Sequence, residues 1–147
     1  MSLGELLRRN KIEMYQSAPE EMNSKISIAE SNLRSAKKTV QMDDPDVDDT
    51  TYKEAYNAML EAGYALMHSK GYRPKPGSRH YAVEQLIKSE FSNDFSPDAL
   101  QIFGRARTTR NALQYDSAGV ISREEVEDLI AKADAFVSTA KGILGIP

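Results

Sequence analysis

The sequence predicts an all-α protein, an antiparallel up-and-down bundle of five to six helices. Three observations predict it. Apolar residues recur at three- and four-residue steps along most of the chain. Prolines and capping residues fall between those stretches. No segment shows the apolar–polar alternation of a convincing half-buried strand. The 147 residues suit a single domain over 1–147, long enough to bury about two-thirds of the unfolded chain's surface. With 40% hydrophobic and 28% charged residues the balance is globular. Cys 0 rules out a disulfide framework, a thiolate metal site and a cysteine nucleophile.

The elements follow in order. A short helix is expected over about residues 4–16. In the second, Met22, Ile26, Ala29, Leu33, Ala36 and Val40 form one stripe, and Pro19 with Glu20 and Glu21 suits its first turn. Residues 43–49, acidic around Pro45, break that helix and can cap the next. A third helix is expected over about 49–70 with the stripe Tyr52, Ala55, Tyr56, Met59, Gly63, Leu66 and Met67. Glycine in mid-helix costs about 1 kcal/mol against alanine, so Gly63 suggests a close helix crossing. Gly71 fits a left-handed cap, and Pro74 and Pro76 stop the helix from resuming. Ser78 can cap a helix carrying Tyr81, Val83, Leu86, Ile87 and Phe91. Ser96-Pro97 opens the next, which passes Leu100, Phe103, Ala106, Arg110 and Leu113 to a turn at 117–119. Ser122 with Glu125 makes a capping box for a last helix through Val126, Leu129, Ile130, Ala133, Val137, Ala140 and Leu144.

Charge is unevenly spread. The formal net charge is -3, yet between Glu61 and Glu84 there is no acid, only Lys70, Arg73, Lys75 and Arg79. Between Asp98 and Asp116 the charges are Arg105, Arg107 and Arg110. Two such segments can attract phosphate, or can be ordinary solvated faces. The N-terminal Leu6-Leu7-Arg8-Arg9 lacks the apolar run of a signal peptide, and no stretch approaches a membrane span. A soluble, cytoplasmic protein without a membrane partner is the expectation.

Arg110 is the unusual residue. At 100° per residue it projects among Ala99, Phe103, Ala106 and Leu113. A guanidinium there keeps its charge and needs an acid, a subunit interface or a ligand. Glu54 and Glu61 are the candidate acids. His80 follows the loop and can cap a helix or contact phosphate, whereas His68 is read on the polar side of its helix. The methionines and tyrosines at helical spacing read as core. Two histidines twelve apart make a poor metal site. No glycine-rich phosphate loop, GxSxG elbow or HExxH is present. Neither metal nor cofactor is expected.

Tyr52, Ala55-Tyr56, Met59, Ala65-Leu66, Gly71, Arg79-His80, the run from Arg110 to Asp116 and Ser122 to Glu125 together give a pattern that resembles the HEPN family over about residues 19–144. More narrowly, it is similar to small stand-alone members whose genes neighbour minimal nucleotidyltransferases. The resemblance implies a ribonuclease site of an arginine, an adjacent polar residue and a histidine four to six residues on, at a two-fold dimer interface. Arg110 and Asn111 match the first two, and Tyr115 stands where the histidine falls. A tyrosine with pKa near 10 is a poor base at neutral pH. Arg110 and Tyr115 also differ by about 140° on an ideal helix, whereas Asn111 and Tyr115 share a face.

The expected function is therefore a non-catalytic or weakly active RNA- or nucleotide-binding partner in a toxin–antitoxin-like system. It would be homodimeric, with a possible nucleotidyltransferase partner. Arg110, Asn111 and Tyr115 form the catalytic-type set, with Arg107, Arg105 and His80 as binding residues. The alternatives are a metal-independent endoribonuclease toxin and a purely structural interaction module.

Overall fold

A computed structural model describes residues 1–113 and 121–147. Its elements are α1 (Leu3–Arg8), β1 (Ile12–Met14), α2 (Pro19–Val40), α3 (Asp48–Ser69), β2 (Tyr72–Pro74), α4 (Arg79–Glu90), α5 (Pro97–Leu113) and α6 (Arg123–Leu144), with a 3-10 turn at Pro45–Val47 before α3. The helical bundle expected from periodicity is what forms. The turn expected at 117–119 lies outside the described residues.

Local chemistry accounts for the ends. Pro19 occupies the first turn of α2 and the Glu21 carboxylate reaches back to the Ala18 amide at 3.3 Å. The Ser96 hydroxyl accepts from the Ala99 amide at the start of α5. Ser122 and Glu125 close a reciprocal capping box on α6, which ends at Gly145 with φ of 68°. Ser78 does precede α4, but its side chain makes no cap hydrogen bond.

The third helix, α3, is central. It packs against α2, α6, α4 and α5, and Tyr52, Ala55, Tyr56, Met59, Leu66 and Met67 are all buried. Arg123 joins three helix ends. It donates to the Val40 carbonyl at 2.6 Å and pairs with the buried Asp48 at 3.0 Å. Gly63 marks the α3–α4 crossing, where a Cβ would stand 2.6 Å from Val83 Cγ1. Gly63→Ala should therefore lower unfolding stability by about 1–2 kcal/mol, the overpacking cost outweighing alanine's better helix propensity. Urea denaturation measures it, and an unchanged or raised midpoint would show that α4 yields at this point.

Two features differ from expectation. Instead of a helix over residues 4–16, α1 ends at Arg8, Asn10 turns the chain with φ of 57°, and β1 follows. Asparagine tolerates that left-handed geometry, which a helix cannot continue through. Although no strand was expected, β1 pairs antiparallel with β2, Ile12 opposite Pro74, Glu13 opposite Arg73 and Met14 opposite Tyr72. Three-residue strands are too short to show a period of two. A buried Ile12 and the Glu13 ion pairs to Arg73 and Lys75 hold them.

Candidate phosphate site

The side of α5 that carries Phe103 and Ala106 also carries Arg107 and Arg110, three residues apart and both half-buried. Opposite them, α4 begins with Arg79 and His80. Beneath lies Tyr56 of α3, fully buried, its ring centroid 5.9 Å from that of Phe103. The Tyr56 hydroxyl and His80 Nδ1 share a hydrogen bond of 2.9 Å. Their rings stack at 5.6 Å with 10° between planes. The core thus orients a histidine at its own edge.

The surrounding charges set the protonation of this pair. Burial lowers the His80 pKa to about 4, with Arg110, Arg79 and Arg107 adding their repulsion. Burial also pushes the Tyr56 hydroxyl up, against the pull of Arg107 and Arg110. At neutral pH His80 is uncharged and Tyr56 keeps its proton. The first turn of α4 contributes further positive potential. Unlike the other five helices of the described residues, it carries no acid there.

Each arginine is held. Arg79 pairs with Glu61, which Lys25 approaches at 3.5 Å, and lies 5.0 Å from the Tyr64 ring. Arg107 donates through Nε to Glu84, and Lys88 takes the second Glu84 oxygen at 2.7 Å. Glu84 is only 3% exposed. Burial raises its carboxyl pKa, but the hydrogen bonds to Lys88 and Arg107 prevail and hold it below the usual value. Arg110 Nη1 donates to Asn111 Oδ1 at 3.5 Å, a long contact, and its charge is felt by both Tyr56 and His80.

The structure thus brings Arg110, Asn111, Arg107 and His80 together. Arg105 is exposed and separate, beside Tyr52, Glu125 and Asp128 towards α6. Tyr115 lies outside the described residues. Of the two acids considered for Arg110, Glu61 serves Arg79 and Lys25.

The basic run from Lys70 to Arg79 is largely balanced in place, because Glu13 pairs with Arg73 at 2.6 Å and with Lys75 at 3.2 Å. His68 is not on a polar side. It is 6% exposed, its ring 5.3 Å from that of Tyr15 and 4.7 Å from that of Tyr64, because the chain just after β1 is tied by the Tyr15 amide to the Gly71 carbonyl and so lays Tyr15 beside that end of α3.

Sequence reasoning missed Tyr56 as a partner for His80 and Glu84 as the partner of Arg107, and it placed Arg79 only within a basic segment. A signal existed for Glu84. It stands four residues after His80 and shares a helix side with Ile87 and Phe91, a charge beside apolar residues as Arg110 is. Among the described residues no three His, Asp or Glu side chains are placed to share a metal ion. No helix among them is long and apolar enough to cross a membrane. A surface hollow of about 520 Å³ between α2 and α6 is remote from this chemistry. It is rimmed by the ion pairs Lys37–Asp134 and Lys141–Glu30.

A family model described as HEPN domain matches residues 22–143, which leaves α1 and β1 outside the match. No curated protein matches the chain.

Proposed function

The chain belongs to the HEPN domain family, and on that premise we propose that it binds RNA or a nucleotide through phosphate while cleaving RNA weakly or not at all. We place its work in a toxin–antitoxin-like system, as a homodimer with a nucleotidyltransferase as partner. The observation that carries this reading is the convergence of Arg79, Arg107 and Arg110 on the His80–Tyr56 pair. Three guanidinium groups and an uncharged imidazole give an anion a positive field and hydrogen-bond donors. They give a reaction little proton traffic. A histidine with pKa about 4 holds no proton to donate at neutral pH and is a weak base when it accepts one.

The test is binding and cleavage of short single-stranded RNA, measured on the same samples with a chelator present. The parent should bind and cut slowly, and Arg110→Ala should weaken binding by roughly 10–100-fold, the worth of a charge-assisted phosphate contact. Sedimentation of the parent should give twice the 16.4 kDa monomer. Rapid metal-independent cleavage by the parent, lost in Arg110→Ala, would replace this reading with that of an endoribonuclease toxin. If the two proteins bind equally, Arg110 is structural and the protein is an interaction module.

A further inference from the structure

Beside the arginines stands an aromatic residue to which nothing above gives a role. Tyr81 follows His80 directly on α4 and is half-buried, so part of it remains in solvent. Its ring centroid lies 5.7 Å from the Arg107 guanidinium carbon. Arg107 is fixed in turn, since Glu84 accepts from its Nε. Glu84 sits where it does because α5 carries glycine opposite. A Cβ on Gly104 would lie 3.0 Å from Glu84 Oε2 and 3.4 Å from its carboxyl carbon. Glycine admits the carboxylate, the carboxylate holds the guanidinium, and the guanidinium braces the ring.

We propose that Tyr81 is a stacking shelf for a nucleobase, so that the site takes a single-stranded nucleotide unit rather than a bare phosphate. The base lies on Tyr81 and the phosphate among Arg107, Arg110 and His80. The inference rests on the phosphate reading above and adds the part of the ligand that reading leaves open. An aromatic ring beside a guanidinium suits any base, because every base has a π face. Discrimination among bases should therefore be slight. Paired RNA keeps its bases stacked inside the helix, so the shelf selects unpaired strands. Tyr15 and Tyr64 also lie near cations, Arg73 over the first and Lys25 and Arg79 over the second, but both rings pack against the buried His68, and neither adjoins Arg107. Tyr56, which does touch His80, is fully buried, whereas Tyr81, next to His80 in the chain, keeps part of its surface in solvent.

The experiment compares ribose 5-phosphate, adenosine 5′-monophosphate and cytidine 5′-monophosphate on the parent, Tyr81→Ala and Tyr81→Phe. The parent should bind both nucleotides about 10-fold more tightly than ribose 5-phosphate. Tyr81→Ala should erase that difference and leave ribose 5-phosphate unchanged, while Tyr81→Phe preserves it. The chain has Trp 0, so Tyr81→Trp adds a single reporter whose emission the nucleotides should quench and ribose 5-phosphate should not. Equal binding of sugar phosphate and nucleotides by the parent would overturn the shelf and leave the phosphate site standing. So would a loss in Tyr81→Ala shared by all three ligands. Failure of every ligand to bind the parent would overturn the phosphate reading itself.

Discussion

Tyr115→His is expected to raise metal-independent RNA cleavage by about 10²–10⁴-fold, the usual worth of a general acid–base group. Cleavage needs a group that gives and takes a proton near neutral pH. His80 does neither well, because burial and three arginines hold its pKa at about 4. Tyr56 is displaced the other way by burial. His68, the other histidine of the chain, is packed between Tyr15 and Tyr64 and contributes nothing here. A phenol is in general a poor proton carrier at neutral pH, and an imidazole, ordinarily near 6.5, would serve the step. The gain should need the phosphate contact, so Arg110→Ala added to Tyr115→His should return cleavage to background. A quenched fluorescent RNA in chelator at pH 7 reads the rate, and binding is followed in parallel. If Tyr115→His binds RNA like the parent yet cuts no faster, proton transfer is not the missing step.

The second large effect is the titration of His80. Its ring should show an NMR midpoint near pH 4 instead of the ordinary 6.5, a proton affinity lower by two to three orders of magnitude. Between about pH 6.5 and 4 the unfolded chain binds a proton at this position and the folded chain does not, so stability rises with pH across that window. The contribution is complete above the unfolded value and is lost as pH falls through the folded one. His68, lowered chiefly by burial, acts in the same direction. Urea midpoints at pH 7 and pH 4.5 should therefore differ less in His80→Gln than in the parent. Saturating phosphate should move the midpoint upward, because an anion cancels the repulsion of Arg110, Arg79 and Arg107. An unligated midpoint near 6.5 would show that water screens the three arginines from the ring.

The helices were legible because each rule that marks them is local. Pro19, Ser96-Pro97 and the Ser122–Glu125 box lie within one turn of the ends they set, and the stripe of α3 faces four other helices at once. The β1–β2 pair was not legible. Its partners are sixty residues apart and each is a single turn's length of chain, with only Glu13 against Arg73 to give the register.

The site was half legible. Arg110 betrayed itself as a charge on an apolar stripe, and His80 by its place after the loop. What the sequence could not show is that Tyr56, read as core, orients His80 from below. Nor could it show that His68 is buried, since Tyr15 reaches it from a distant part of the chain, the connection after β1. Arg105 and Arg107 look equivalent in a run of three arginines, yet the two-residue offset sends them to different neighbours.

The seating of Glu84 against Gly104 also bears on how such a chain diverges. A Cβ arriving at 104 presses on the carboxylate, which must then give by a few tenths of an ångström, and losing the carboxylate first removes the contact that glycine relieves. Arg107 leans on both, so the two positions are expected to change together in descent. A relative that carries alanine or larger at the place of Gly104 should lack the acid at the place of Glu84, and that joint signature would mark lineages in which this arginine has been released to other uses.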